Sequence, residues 1–271
     1  MQSRSVAVRG GQLEVFDWGS GEPVLFIQTA LTADELRPLA ADPGLDGYRK
    51  ILYHRRGYGS STPADGRGSI TRDAADCAEL LTELVVDRAH VVGLSYAGAV
   101  ALQLAVDAQA LTHTLTLLEP PPVHTPSALE FRAANDRLIA TRQEQGPAAA
   151  LDEFLTLVIG PDWQQLAEEQ LPGSSAQMRH DAATFFDADL PALLAWDFGP
   201  YDASRIRCPV LYVGGSDSGP WFAGVRELML GWFRDAQDVV IEGADHSFAL
   251  THTPQIAGAL ATFLQRHPVD P

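Results

Sequence analysis

The stretch Arg88-Ala89-His90-Val91-Val92-Gly93-Leu94-Ser95-Tyr96-Ala97-Gly98-Ala99-Val100 passes from a strand-like apolar run straight into a helix-like run of small residues, with a serine at the joint. A serine held between a strand and a helix needs a tight, strained turn. The residues two before and two after it must then be small to avoid collision. Gly93 and Ala97 meet that demand. Such a turn exposes the serine hydroxyl, and the helix N-terminus behind it offers backbone N–H groups and a favourable dipole to a developing oxyanion. The chemistry this suits is nucleophilic attack on a carbonyl carbon. A serine hydroxyl is a poor nucleophile at neutral pH, so the same site needs a base and an acid that fixes the base's tautomer. The plainer reading is an ordinary strand-to-helix turn that happens to contain a serine.

The elements that must position Ser95 are legible as an alternation. Val6 to Val8 and Leu13 to Asp17 flank Gly10-Gly11 and read as an opening hairpin. Pro23 to Ile27, Tyr48 to Tyr53, Ala89 to Leu94, Leu115 to Leu118, Pro209 to Val213 and Val239 to Ile241 are short apolar runs of the kind a strand buried on both faces requires. Helical spacing falls between them at Asp34 to Ala40, Thr71 to Val86, Tyr96 to Asp107 and Trp221 to Phe233, and a last helix spans Thr253 to Arg266. Repeated alternation predicts a mostly parallel sheet covered on both faces. From Ser127 to about Phe198 only helical periodicity remains, broken at Gly146-Pro147, Gly160-Pro161, Pro172-Gly173 and Pro191. This predicts one α/β core built from 1–122 and 200–271, interrupted by a helical cap at 123–199.

With these motifs in hand, the chain resembles the α/β-hydrolase superfamily over nearly its whole length. The resemblance lies in Pro23-Val24-Leu25-Phe26-Ile27 before a loop, Arg56-Gly57-Tyr58-Gly59-Ser60-Ser61 after the next strand, the turn at Ser95, the helical insertion and Gly243-Ala244-Asp245-His246 near the end. It implies an eight-stranded, mostly parallel sheet flanked by helices, with Ser, acid and His in that order along the chain. Of eight histidines, His54 and His252 among them, only His246 has the right place in that order. Two acids qualify. Asp217, in Gly214-Gly215-Ser216-Asp217, follows the strand that usually carries it, while Glu119, in Leu118-Glu119-Pro120-Pro121, follows the preceding strand, as in a lactonase-like subgroup. Both loops open at the carboxyl edge of the sheet, where sites in open α/β folds belong. The reading leans to Glu119, because a carboxylate between an apolar strand and a run of prolines is poorly placed to be merely solvated, whereas Asp217 lies among turn residues.

The chain departs from the resemblance at Gln28-Thr29-Ala30, where many members have His-Gly after the third strand. The implied oxyanion hole is then the backbone N–H of Ala30 with that of Tyr96, and Gln28 and Thr29 are candidates for a side-chain donor in the pocket. His54 stands where relatives often show Asp, and with Arg55 and Arg56 it reads as a structural, solvated strand end. Among the large apolar residues near the cap, Trp196, Phe198 and Trp221 are the expected pocket lining, with core packing the competing role for each.

A formal net charge of −16 in 271 residues argues against a nucleic-acid or anionic-membrane partner and against anionic substrates. Cys77 and Cys208 fit neither a disulfide framework nor a metal pattern, and no stretch approaches the ~18 unbroken apolar residues of a membrane span. A cytoplasmic, soluble protein, monomeric or homodimeric, follows as the expectation. The function expected is a cofactor-independent serine hydrolase acting on a bulky, apolar small-molecule ester or lactone. A thioesterase or perhydrolase using the same groups, or a ligand-binding relative without hydrolytic chemistry, is the alternative, since the fold alone does not choose.

Overall fold

A computed structural model describes residues 2–269. Its centre is an eight-stranded sheet: β1 (Arg4–Val8), β2 (Gly11–Gly19), β3 (Pro23–Ile27), β4 (Arg49–His54), β5 (Ala89–Leu94), β6 (Thr112–Leu118), β7 (Val210–Gly215) and β8 (Gln237–Ile241) in the order β1-β2-β4-β3-β5-β6-β7-β8. β1 and β2 form the antiparallel hairpin that Gly10-Gly11 predicts, β2 runs antiparallel to β4, and every later pair is parallel. The strand boundaries move by at most three residues from those expected, the largest shift being the start of β6 at Thr112 rather than Leu115. The N-terminal helix is shorter: only Arg37–Ala40 (α1) is helical, because Pro38 suits the first turn of a helix and residues 33–36 form a turn ahead of it.

Alternation along the strands sends side chains to two cores. Leu25, Ile27, Val91, Leu115, Leu117 and Tyr212 face α2 (Ile70–Glu83) and α3 (Tyr96–Asp107). Val24, Phe26, Val92, Leu94, Leu118 and Val213 pack on the opposite side with Leu39 of α1, with Phe248 of α11 (Phe248–Thr251), and with Ile256, Leu260 and Phe263 of α12 (Thr253–Arg266). α3 is buried on almost every side, which its alanine-rich sequence permits by letting the helix lie close against the sheet.

Between β6 and β7 the chain is helical: α4 (Ala128–Gln145), α5 (Pro147–Val158), α6 (Trp163–Gln170), α7 (Ser174–Thr184), a π-helical turn at Phe185–Asp189, α8 (Leu190–Ala195) and the short α9 (Pro200–Ala203). A separate apolar cluster, including Leu138, Leu151, Trp163, Met178 and Phe186, holds these helices together and takes in Leu31 from the loop after β3. Among the described residues, no helix is long and apolar enough to cross a membrane.

The basic run at the end of β4 corrects a sequence-based expectation. His54, Arg55 and Arg56 are buried rather than solvated, and so is Lys50 earlier in the strand. Arg56 pairs with Asp76 and donates to the carbonyls of Arg9 and Gly10, while Lys50 donates to the carbonyl of Leu45. His54 lies between Glu14 (3.1 Å) and Asp34 (3.2 Å). Burial alone would depress its pKa, but hydrogen bonds to these carboxylates and their charge outweigh that and hold it above the ordinary value.

Candidate active site

β5 delivers Ser95 to the carboxyl edge of the sheet between β3 and β6. Ser95 has φ 50° and ψ −120°, a strained backbone for a residue with a side chain, and it leaves Ser95 partly accessible. The turn demands its small neighbours physically: a Cβ on Gly93 would lie 2.3 Å from the carbonyl oxygen of Ala97, and one on Gly98 would lie 2.8 Å from the Cβ of Pro120.

β6 ends at Leu118, and Glu119 follows with φ 42°. Its carboxylate is buried and committed on both oxygens. Oε1 accepts from the backbone N–H of Gly215 at 2.8 Å, and Oε2 lies 2.7 Å from Nδ1 of His246. The close approach depends on the β7 end, since a Cβ on Gly214 would meet Glu119 Oε1 at 3.2 Å. Asp217 lies in the exposed turn after β7, where its carboxylate accepts from the Ser216 hydroxyl and makes no contact with His246. Of the two acids the sequence offers, Glu119 is therefore the one that touches His246. Phe222, in α10 (Pro220–Trp232), stacks on the imidazole with ring centroids 3.9 Å apart at 18°. Nothing in the sequence singled it out, because its partner is distant along the chain.

The loop after β3 takes a defined shape without the expected His-Gly. Leu31 adopts φ 65° and its N–H donates to the Tyr58 hydroxyl at 2.9 Å. Gln28 accepts from the Arg55 N–H through Oε1, and the Arg55 guanidinium donates to the carbonyls of Gln28 (3.1 Å) and Thr29 (3.4 Å). Thr29 Oγ1 donates to the Leu94 carbonyl. On the other side, Gln177 of α7 donates to the Leu31 carbonyl and accepts from Ala33 N–H. These ties hold Ala30 beside Ser95, and among the described residues neither the Ala30 nor the Tyr96 backbone N–H donates to another protein group.

Arg55 is the hub of this arrangement. It makes a two-pronged pair with Asp189 (3.0 and 2.7 Å), a bond to Asp73 (2.9 Å), and lies 4.3 Å from the Tyr96 ring centroid. The Tyr96 hydroxyl donates to Asp73 and that of Tyr58 to Asp189. Burial raises the Asp73 pKa, and the Arg55 charge only partly opposes it. One guanidinium thus joins the turn at Ser95, the loop after β3 and the π-helical turn of the inserted helices.

Two adjoining cavities meet at Ser95 and His246. The larger, about 100 Å³, is mainly aromatic and aliphatic, with Phe131, Phe154, Phe185 and Trp221 on its walls and Ser218 and Asn135 as polar members. The smaller, about 60 Å³, is lined by Thr29, Thr32, Glu35, Leu155 and Ser247 among others. A larger surface cleft of about 770 Å³, edged by Trp232 and Arg266, contains none of the residues built up above. Trp221 and Thr29 therefore reach the cavities, whereas three expected lining residues do not. Gln28 is turned to the Arg55 backbone, while Trp196 and Phe198 are buried in an aromatic cluster with His124 and Trp232, the Trp196 indole N–H donating to Gln103. The indole's need for a buried acceptor takes Trp196 away from the cavity.

Comparison with known proteins places the fold. Over 246 residues, 87% of this chain and 89% of the relative, it is 27% identical to a protein of Pseudomonas syringae pv. syringae named as a carbamate hydrolase, RutD. Its fold is similar to that of a thermophilic esterase from Thermogutta terrifontis (TM-score 0.79, 22% identity, 99% of this chain and 100% of that one). It is also similar to that of an enol-lactonase from Burkholderia xenovorans LB400 (TM-score 0.76, 20% identity, 97% and 100%). Residues 18–259 match the profile of the alpha/beta hydrolase family, and the chain, a hydrolase of that fold, belongs to it.

Proposed function

We propose that the protein is a cofactor-independent serine hydrolase that cleaves a carboxylic ester or lactone through an acyl-enzyme on Ser95. The observation that carries this reading is the 2.7 Å contact between Glu119 and His246 beside a strained, accessible Ser95 on the same cavity wall. Ionised Glu119 holds the proton of His246 on Nδ1, leaving Nε2 free to accept the Ser95 proton as Oγ attacks the carbonyl carbon. The carbonyl π electrons move onto oxygen, and the N–H groups of Ala30 and Tyr96 receive the oxyanion. His246 then protonates the departing alkoxide, the C–O bond breaks, and water repeats the sequence to release the acid and restore Ser95. A lactone differs only in that the departing alkoxide stays tethered to the acyl group. Stacked Phe222 and the apolar walls keep water from competing for these charges.

In this reading the helices within 123–199 act as a lid whose aromatic residues receive the bulky part of the substrate. The test is a panel of p-nitrophenyl esters of increasing acyl length, several lactones and matched p-nitrophenyl carbamates, assayed with no added metal or cofactor. Turnover of esters or lactones is expected, with kcat/KM falling once the acyl chain outgrows the apolar cavity. Absence of turnover across the panel in folded protein contradicts the reading, and turnover of carbamates alone replaces the ester with a carbamate as substrate.

A further inference from the structure

The smaller of the two cavities contains a carboxyl group that the acyl-transfer chemistry does not use. Glu35 sits in the turn before α1, one residue after Asp34. Asp34 points to His54 and Arg37 and is fully engaged there, whereas Glu35 points inward and lines the cavity that Ser95 and His246 also line. Among the described residues, no side chain or backbone N–H donates to the Glu35 carboxyl group, and Arg37 is already paired with Asp34 and lies over Phe16. Glu35 is half-buried and lines this cavity, and interior surroundings raise its pKa to about 7, with the charge of His246 pulling the other way. A carboxyl group partly withdrawn from water and without a protein partner gains from a ligand that supplies a donor. Apart from Ser95 and His246, the other polar groups of this cavity are the hydroxyls of Thr29, Thr32 and Ser247.

We propose that Glu35 is a specificity-determining residue that binds a cationic or hydrogen-bond-donating substituent on the part of the substrate entering the smaller cavity. The proposal rests on the serine-hydrolase reading above, and it makes the substrate bipartite: an apolar group in the aromatic cavity, the scissile carbonyl at Ser95, and a donor group at Glu35. The net charge of −16 favours the approach of such a substrate as it disfavours an anionic one.

The experiment uses isosteric pairs in which a dimethylamino group replaces an isopropyl group. On the alcohol side these are 2-(dimethylamino)ethyl benzoate and 3-methylbutyl benzoate; on the acyl side, phenyl 3-(dimethylamino)propanoate and phenyl 4-methylpentanoate. The wild-type protein is expected to favour the amine in one pair by at least about tenfold in kcat/KM, the scale of a charge-assisted hydrogen bond in a desolvated site. Glu35→Gln, which keeps the shape, should bring that ratio near one, and Glu35→Leu should invert it. Hydrolysis of the pairs with the same ratio in wild-type and Glu35→Leu protein overturns the role of Glu35 and leaves the hydrolase standing. So does an equal loss on both members, which marks a proton-transfer or folding role instead. If the wild-type protein turns over neither pair nor any ester of the wider panel, the hydrolase reading fails and this proposal fails with it.

Discussion

Replacing Glu119 with glutamine is expected to lower kcat on any ester substrate by about 10⁴-fold, while Asp217→Asn leaves it within about threefold. The difference follows from hydrogen-bond direction. Glu119 Oε1 accepts from the Gly215 N–H, so the glutamine must keep its carbonyl oxygen there and turn its NH₂ toward His246. A donor facing Nδ1 forces the imidazole proton onto Nε2, the nitrogen that the proposed mechanism needs free to take the Ser95 proton. The burial of Glu119 adds to the effect, because it removes the water that could otherwise reorganise around the wrong tautomer. Asp217 has no part in this, since its carboxylate faces Ser216 in an exposed turn. Steady-state kinetics on the two variants decides the matter. A large loss in Asp217→Asn with near-normal turnover in Glu119→Gln contradicts the assignment.

Arg55→Met is expected to destabilise the fold by about 3–5 kcal/mol, because it leaves the buried carboxylates of Asp189 and Asp73 without their cation. For a chain of this size that corresponds to a fall in Tm of roughly 6–20 °C. Methionine fills much of the volume, so lost packing is a minor part of the cost. Removing the charges together, as Arg55→Met with Asp73→Leu and Asp189→Leu, should recover most of the loss, since a buried ion cluster and an apolar one of similar volume are often of comparable stability. Activity does not follow stability in its recovery. The loop that carries Ala30 loses its Arg55 donors to Gln28 and Thr29 in both, so kcat stays depressed in the triple variant even where Tm returns. Thermal unfolding and kcat measured on the same samples check this. A shift in Tm within about 2 °C for Arg55→Met contradicts the role given to the cluster.

The parts of this molecule that local sequence determines were legible in it. The runs Pro23–Ile27 and Ala89–Leu94 carry their own burial pattern, and Gly93 and Ala97 announce the strained turn because the clash they avoid is between near neighbours. What was not legible depends on partners far apart in the chain. Arg55 reads as a solvated arginine until Asp189, 134 residues away, is brought against it. Trp196 and Phe198 looked like lid aromatics, and only the acceptor on Gln103 and the rings of His124 and Trp232 explain why they pack elsewhere. Glu35 was hidden for another reason. In sequence it belongs to a charged helix start, and only the turn at 33–36 sends Asp34 and Glu35 in opposite directions.

Reaction with a fluorophosphonate, followed by intact-mass and peptide-mass measurement, tests most directly whether Ser95 is the nucleophile. A single adduct on the peptide containing Ser95 is expected, forming slowly in Glu119→Gln and absent in Ser95→Ala. Folded wild-type protein that forms no adduct, or forms it at another residue, contradicts the account.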